Sequence, residues 1–106
     1  MNNKDRFQTR AIHIGNKPDK ETGAVSPPIN LTSTFEQESV GKDKGFDYSR
    51  GGNPTRKRLE DNIAALEQGT YGLMFASGMA ATTALFQTLS SGDHVIIGQN
   101  VYGGTY

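Results

Sequence analysis

An α/β architecture is predicted by two features of the chain. Its second half alternates helix-like and strand-like patterns, and the two strand-like runs are separated by enough residues for a right-handed crossover between parallel strands. Its first half shows no sustained period.

Residues 1–47 contain Pro18, Pro27 and Pro28, several glycines, and mixed charges as in Gly15-Asn-Lys-Pro-Asp-Lys20. Such a stretch reads as an extended arm. Within it Ile29-Asn-Leu-Thr-Ser-Thr-Phe35 alternates apolar and polar residues, as a short strand or a pairing arm would. At Asn53-Pro54 the pattern sharpens, because a capping residue is followed by a proline whose missing N–H costs nothing at the first helical position. Leu59, Ile63 and Leu66 then recur at helical spacing and Gly69 supplies the stop, so a helix is predicted to about Gln68. Tyr71-Gly-Leu-Met-Phe-Ala76 is a run of strand length. Ser77-Gly-Met79 opens a second helix with Ala81, Leu85 and Leu89 on one face, closed at Ser91-Gly-Asp93. His94-Val-Ile-Ile-Gly98 is β-branched and apolar, as a strand buried on both faces would be. The predicted organisation is an arm over 1–52 and the beginning of an α/β domain over 53–106. Two strands with two helices cannot cover both faces of a parallel sheet. The segment is therefore expected to belong to a larger protein or to need partners.

The chain has 106 residues, the size of one small domain, with 11 acidic and 11 basic side chains and a pI near 6.7. That balance argues against a nucleic-acid surface or a polybasic membrane anchor. No cysteine is present, so neither disulfides nor thiolate metal sites arise. The polar opening MNNKDRFQTR and the absence of long apolar runs point to a soluble cytoplasmic protein. His13 and His94 have no second ligand at metal-binding spacing, and Ser77 has no evident partner base.

Three stretches carry candidate chemistry. In Phe75-Ala-Ser-Gly-Met79 small residues sit at a strand-to-helix turn, where backbone N–H groups and the helix dipole attract an anion such as a phosphate; Ser77 serving only as a helix cap is the alternative. Neither a dinucleotide fingerprint nor a P-loop is present. In Gln99-Asn-Val-Tyr-Gly-Gly-Thr-Tyr106 the Tyr102 ring is placed to lie against a planar ligand, or is an ordinary surface tyrosine beside a turn. In Tyr48-Ser-Arg-Gly-Gly-Asn-Pro-Thr55 the Arg50 guanidinium could fork onto a phosphate with the Tyr48 hydroxyl beside it, or the loop is simply solvated. Arg56, Lys57 and Arg58 oppose the dipole of the helix they open, which points to a compensating anion nearby.

In order along the chain, YSRGGNPT, FASGMAA and NVYGGTY, with Thr9-Arg-Ala-Ile-His13 and Val25-Ser-Pro-Pro-Ile-Asn-Leu-Thr-Ser-Thr-Phe35, resemble the N-terminal part of the transsulfuration family of pyridoxal-phosphate enzymes. Its members include cystathionine γ-lyase, γ-synthase and β-lyase and methionine γ-lyase. The likeness runs from about Thr9 to Tyr106, and YSRGGNPTR with VYGGT leans towards the γ-lyases. It implies an N-terminal arm with inter-subunit contacts, followed by the start of the large cofactor domain of a fold-type I, aspartate aminotransferase-like enzyme. It implies that Gly78 and Met79 give backbone N–H groups to the phosphate of pyridoxal 5'-phosphate, and that Tyr102 stacks on the pyridine ring. Tyr48 and Arg50 would reach the phosphate bound by the neighbouring subunit, with Tyr48 also moving protons near the substrate amine and Asp47 facing the substrate.

Implied partners are a sulfur-containing amino acid and further copies of the chain, a dimer of dimers, with neither nucleic acid nor membrane. The implied reaction is C–S bond cleavage or formation at the γ carbon of cystathionine or an activated homoserine. The lysine that carries the cofactor, the acid that pairs with its ring nitrogen and the arginine for the substrate carboxylate all fall beyond residue 106 in the family. Lysines 4, 17, 20, 42, 44 and 57 match none of these positions, so the 106 residues alone are not expected to catalyse. The remaining alternatives are γ-replacement, a non-catalytic remnant that pairs with intact subunits, and an independent phosphate-binding module.

Overall fold

The computed structural model describes residues 6–106. The described residues form two units, one running to Leu73 and the other spanning Met74–Tyr106. The first carries α1 (Phe7–His13) and α2 (Pro54–Leu66), and the second carries α3 (Gly78–Phe86).

Helix α2 begins where its sequence signals place it. Asn53 is extended and its side-chain oxygen accepts from the Thr55 N–H at 2.8 Å, with Pro54 inside the first turn. The Asn53 amide also donates to Ser49 Oγ at 2.9 Å and to the Asn30 carbonyl at 3.2 Å. Thr55 Oγ1 accepts from the Asn30 N–H at 2.9 Å, and Arg58 donates to the Pro28 carbonyl at 2.7 Å. One helical turn thus both caps itself and fastens the proline-containing arm, through backbone groups that would otherwise compete for water.

The cations of that turn do not need the anion that the dipole argument suggests. Arg56 and Arg58 donate to backbone carbonyls, while Lys57 pairs with Asp61 one turn on. The end of α2 differs as well. The helix stops at Leu66, and Gln68 takes the left-handed conformation at φ 57°. Gly69 contributes its N–H, which reaches the Ala64 carbonyl at 2.8 Å and closes a Schellman turn.

Helix α1 has seven residues and no side-chain cap at Arg6, so local sequence gives it little reason to form. Its support comes from α2. The Asn62 amide donates to the Ala11 carbonyl at 3.0 Å and the Ile14 carbonyl at 2.8 Å, at the open end of α1. Arg10 is 8% exposed and returns the favour, donating from Nη1 to the Ala65 carbonyl in the last turn of α2 at 2.6 Å. Each helix therefore satisfies carbonyls that the other leaves orphaned. Gly15 turns the chain out of α1 at φ 76°, and a Cβ there would run into the Arg58 carbonyl oxygen.

Further along the arm, Thr34 bridges Tyr48 in antiparallel fashion, with Phe35 N–H to Asp47 O at 2.9 Å and Ser49 N–H to Ser33 O at 2.8 Å. The Phe35 and Phe46 rings meet with centroids 5.7 Å apart, closing the base of the loop between them. Of the alternating stretch 29–35, the part that pairs is its last three residues.

In the second unit α3 is capped by Ser77 and ends at Phe86, short of Leu89. Its tail tightens into three-residue turns, Thr88 N–H to Leu85 O and Leu89 N–H to Phe86 O, both 3.1 Å. Neither 71–76 nor 94–98 forms a ladder, contrary to the strand pattern of both. A strand exists only against a paired neighbour, and neither run pairs with any of the described residues. Tyr71, Leu73, Ile96 and Ile97 are accordingly exposed. No helix among the described residues is long and apolar enough to cross a membrane.

Candidate active site

The N-terminus of α3 opens into a cleft of about 390 Å³ lined by Ser77, Gly78, Met79, Thr82, Tyr102 and Thr105. A helix leaves its first four N–H groups without internal acceptors. One of these is used locally, since Ala80 N–H donates to Ser77 Oγ at 3.1 Å, while Ala81 N–H makes the first helical bond, to the Ser77 carbonyl at 3.1 Å. The amides of Gly78 and Met79 are left at the positive end of the dipole. A Cβ built at Gly78 would meet nothing within 4 Å, so the backbone is open to approach.

The opposite wall is the Tyr102-Gly103-Gly104-Thr105 turn, closed by Thr105 N–H to Tyr102 O at 2.8 Å. The backbone passes close under the Tyr102 ring, where a Cβ on Gly104 would come 2.6 Å from Tyr102 Cε1. Thr105 Oγ1 donates to Met79 Sδ at 3.7 Å, and that contact ties the turn to the helix. Tyr102 remains 74% exposed. An anion at the two amides and a flat ring against Tyr102 are what this cleft can hold. No lysine or arginine occurs between 74 and 106, so the charge of a bound anion has to be balanced from elsewhere.

In the first unit, Tyr48 and Arg50 lie together, with the Arg50 Cζ 5.0 Å from the centre of the Tyr48 ring. No carboxylate pairs with Arg50 among the described residues. The turn that presents them is tight, with Gly52 N–H bonded to Tyr48 O at 2.9 Å. Arg56 gathers its outward carbonyls, donating to Ser49 O at 3.2 Å, Arg50 O at 3.3 Å and Gly51 O at 2.9 Å. Asp47 Oδ1 accepts the Tyr48 N–H at 2.7 Å.

The residues marked by sequence thus fall into two groups. Ser77, Gly78, Met79 and Tyr102 converge in one cleft, and Asp47, Tyr48 and Arg50 share one turn in the other unit. Sequence reading marked neither Thr82 nor Thr105 as a cleft residue, and it took Arg56 only as a cation opposing the helix dipole. Thr82 was legible in principle, because it sits four residues beyond Gly78, whose carbonyl accepts its hydroxyl at 3.0 Å. Arg56 was not, since its role depends on a turn whose carbonyls all face one way.

Residues 8–106 match the family described as Cys/Met metabolism PLP-dependent enzymes. A probable cystathionine γ-synthase of Herpetosiphon aurantiacus is 54% identical over 100 residues, which are 94% of this chain and 31% of that protein. A cystathionine β-lyase of Coxiella burnetii is 50% identical over 105 residues, 99% of this chain and 27% of the relative. The crystal structure of cystathionine γ-lyase from Lactobacillus plantarum complexed with L-serine superposes with a TM-score of 0.85 at 50% identity, over 95% of this chain and 26% of that one. The chain spans between a quarter and a third of the length of these relatives and corresponds to an N-terminal segment of them. With 99 of its 106 residues inside the match (8 to 106), the chain belongs to the Cys/Met metabolism family of PLP-dependent enzymes, of fold-type I.

Proposed function

We propose that this chain supplies the phosphate-binding portion of a cytoplasmic transsulfuration enzyme that breaks the C–S bond at the γ carbon of cystathionine, as the cystathionine γ-lyases do. Residues 1–52 act as an arm between subunits and 53–106 begin the cofactor domain. The observation that carries this reading is the cleft at α3, where two free amides face a tyrosine ring. Its donor set fits pyridoxal phosphate at both ends: the Gly78 and Met79 amides suit a phosphate, and Tyr102 suits a pyridine face. Bound there, the cofactor supplies an electron sink for the carbon that bears the substrate amine.

The residues of this chain then have separable tasks. Ser77 holds the helix start rigid, so that the Gly78 and Met79 amides are aimed before any ligand arrives. Tyr102 fixes the plane of the ring. Arg50 balances the phosphate charge that the cleft's own unit does not, acting from the neighbouring subunit of a dimer within a tetramer. The Tyr48 hydroxyl beside it hydrogen-bonds the phosphate and holds a proton near the substrate amine. Asp47 faces the distal part of the amino acid.

γ-Replacement is the second reading, favoured by the 54% identical γ-synthase. Relatives named for three different activities are all about equally similar over this segment. That is the pattern expected of a part that serves the common phosphate rather than the substrate side chain. Product analysis of the full-length protein separates them. With cystathionine and water, γ-elimination gives cysteine, 2-oxobutanoate and ammonia; pyruvate with homocysteine would instead assign β-elimination. Formation of cystathionine from cysteine and an acylated homoserine, without cleavage of cystathionine, would assign γ-replacement.

A further inference from the structure

We infer that Arg56 is a positioning residue for the phosphate clamp: its guanidinium holds the Tyr48–Gly52 turn in the one conformation that projects Arg50 and Tyr48 side by side. This rests on the reading of Arg50 as a phosphate ligand, and it assigns a role to a residue that touches neither cofactor nor substrate.

The turn is unusual in what it does with its carbonyls. Those of Ser49, Arg50 and Gly51 point to one side and converge within 3.3 Å of a single side chain. Three parallel carbonyl dipoles repel one another, and in water such a turn would relax by rotating peptides outward. A guanidinium is suited to gathering them, because its planar fork presents several N–H donors at fixed angles with a full positive charge behind them. Glu60 holds the fork from its other edge, with Oε1 3.4 Å from Arg56 Nε and its side chain only 14% exposed. The two sit one turn apart on α2, so a rigid helix transmits its position to a glycine-containing loop that has little rigidity of its own.

The consequence for the clamp is geometric. Arg50 contributes its carbonyl to Arg56 and keeps its own guanidinium over the Tyr48 ring, 5.0 Å from the centre. Fixing the carbonyl fixes the peptide plane, and with it the direction in which the Arg50 side chain leaves the backbone. The other end of the turn is held independently, by Ser49 N–H to Ser33 O and by the Asn53 amide on Ser49 Oγ. Without Arg56 the turn would stay attached but lose its orientation, so Arg50 would pay an ordering cost each time it met a phosphate.

The test is a double-mutant cycle in the full-length enzyme, reading the dissociation constant of pyridoxal phosphate from the apoenzyme by titration. Lysine keeps the charge but reaches only one carbonyl at a time, so Arg56→Lys is expected to weaken cofactor binding about tenfold. In an Arg50→Ala background the same change is expected to weaken binding by only about two- to threefold, because the Tyr48 hydroxyl alone remains to be positioned. Equal penalties in both backgrounds would overturn the inference and leave the clamp standing. No penalty from Arg56→Lys in the native background would overturn it too. No penalty from Arg50→Ala itself would overturn the clamp reading first. Circular dichroism and thermal unfolding of each apoenzyme accompany the titrations. Should Arg56→Lys not fold, Arg56→Gln, which keeps a neutral donor, carries the same cycle with the same outcomes.

Discussion

Gly78 is the single residue at which the proposed ligand role and the needs of the fold can be told apart. Its φ lies in the ordinary range, and a Cβ there meets only open space, so folding alone does not require glycine. Alanine also favours a helix over glycine, by about 0.5–1 kcal/mol at an interior position. Gly78→Ala in the full-length protein is therefore expected to leave thermal stability of the apoenzyme unchanged or slightly raised. The added methyl group stands in the cleft beside the Met79 amide, and cofactor affinity is expected to fall at least about tenfold, roughly one lost charge-assisted hydrogen bond. A matched drop in apoenzyme stability would show instead that the glycine serves the fold. Gly104 is the contrasting case, because a Cβ there collides with the Tyr102 ring. Gly104→Ala should rotate that ring out of place and perturb the cofactor's visible absorption band as well as its affinity.

Among the elements, α2 was legible and α1 was not, for reasons that can be named. Asn53, Pro54 and the Leu59, Ile63, Leu66 spacing are local signals, and the helix they announce starts at the residue they mark. The dependence of α1 on Asn62 and Arg10 joins positions about fifty residues apart, which no window on the sequence contains. The cleft was legible as two separate motifs, but their convergence rests on Thr105 reaching Met79 across 26 positions. The end of α2 was misplaced because Gly69 looks like the left-handed residue, whereas Gln68 adopts that conformation and Gly69 supplies the hydrogen bond. This yields a prediction. A side chain in the left-handed region costs about 1–2 kcal/mol relative to glycine, partly offset by the larger entropy glycine loses on folding. Gln68→Gly should therefore stabilise the full-length protein by up to about 1 kcal/mol, read as a rise in the midpoint of chemical denaturation at constant slope. A fall in that midpoint would mean that the Gln68 side chain makes a contact outweighing its backbone strain.

For the whole molecule the deciding quantity is exposed surface. Ala64 is the one buried hydrophobic residue among those described. The strand-patterned runs 71–76 and 94–98 leave Tyr71, Leu73, Ile96 and Ile97 exposed, and neither run has a paired strand among the described residues. The 106 residues expressed alone should accordingly show no cooperative unfolding transition in urea; a sigmoidal curve with a slope above about 1 kcal/mol/M would refute that.

The proposed placement of Arg50 in the neighbouring subunit's site can be tested at the same scale. If Arg50 serves the neighbour's cofactor, a subunit carrying Arg50→Ala and one lacking the cofactor-bearing lysine are each impaired alone but complementary when paired. The mixed dimer then holds one cleft with both an intact lysine and an intact arginine from across the interface. Random re-association should restore about a quarter of native activity, since half the dimers are mixed and each has one working site of two. If Arg50 instead served its own subunit, every site in the mixed dimer would lack one group or the other. Mixed dimers isolated by two affinity tags that showed no recovery at limiting cofactor would place the arginine in its own subunit's site.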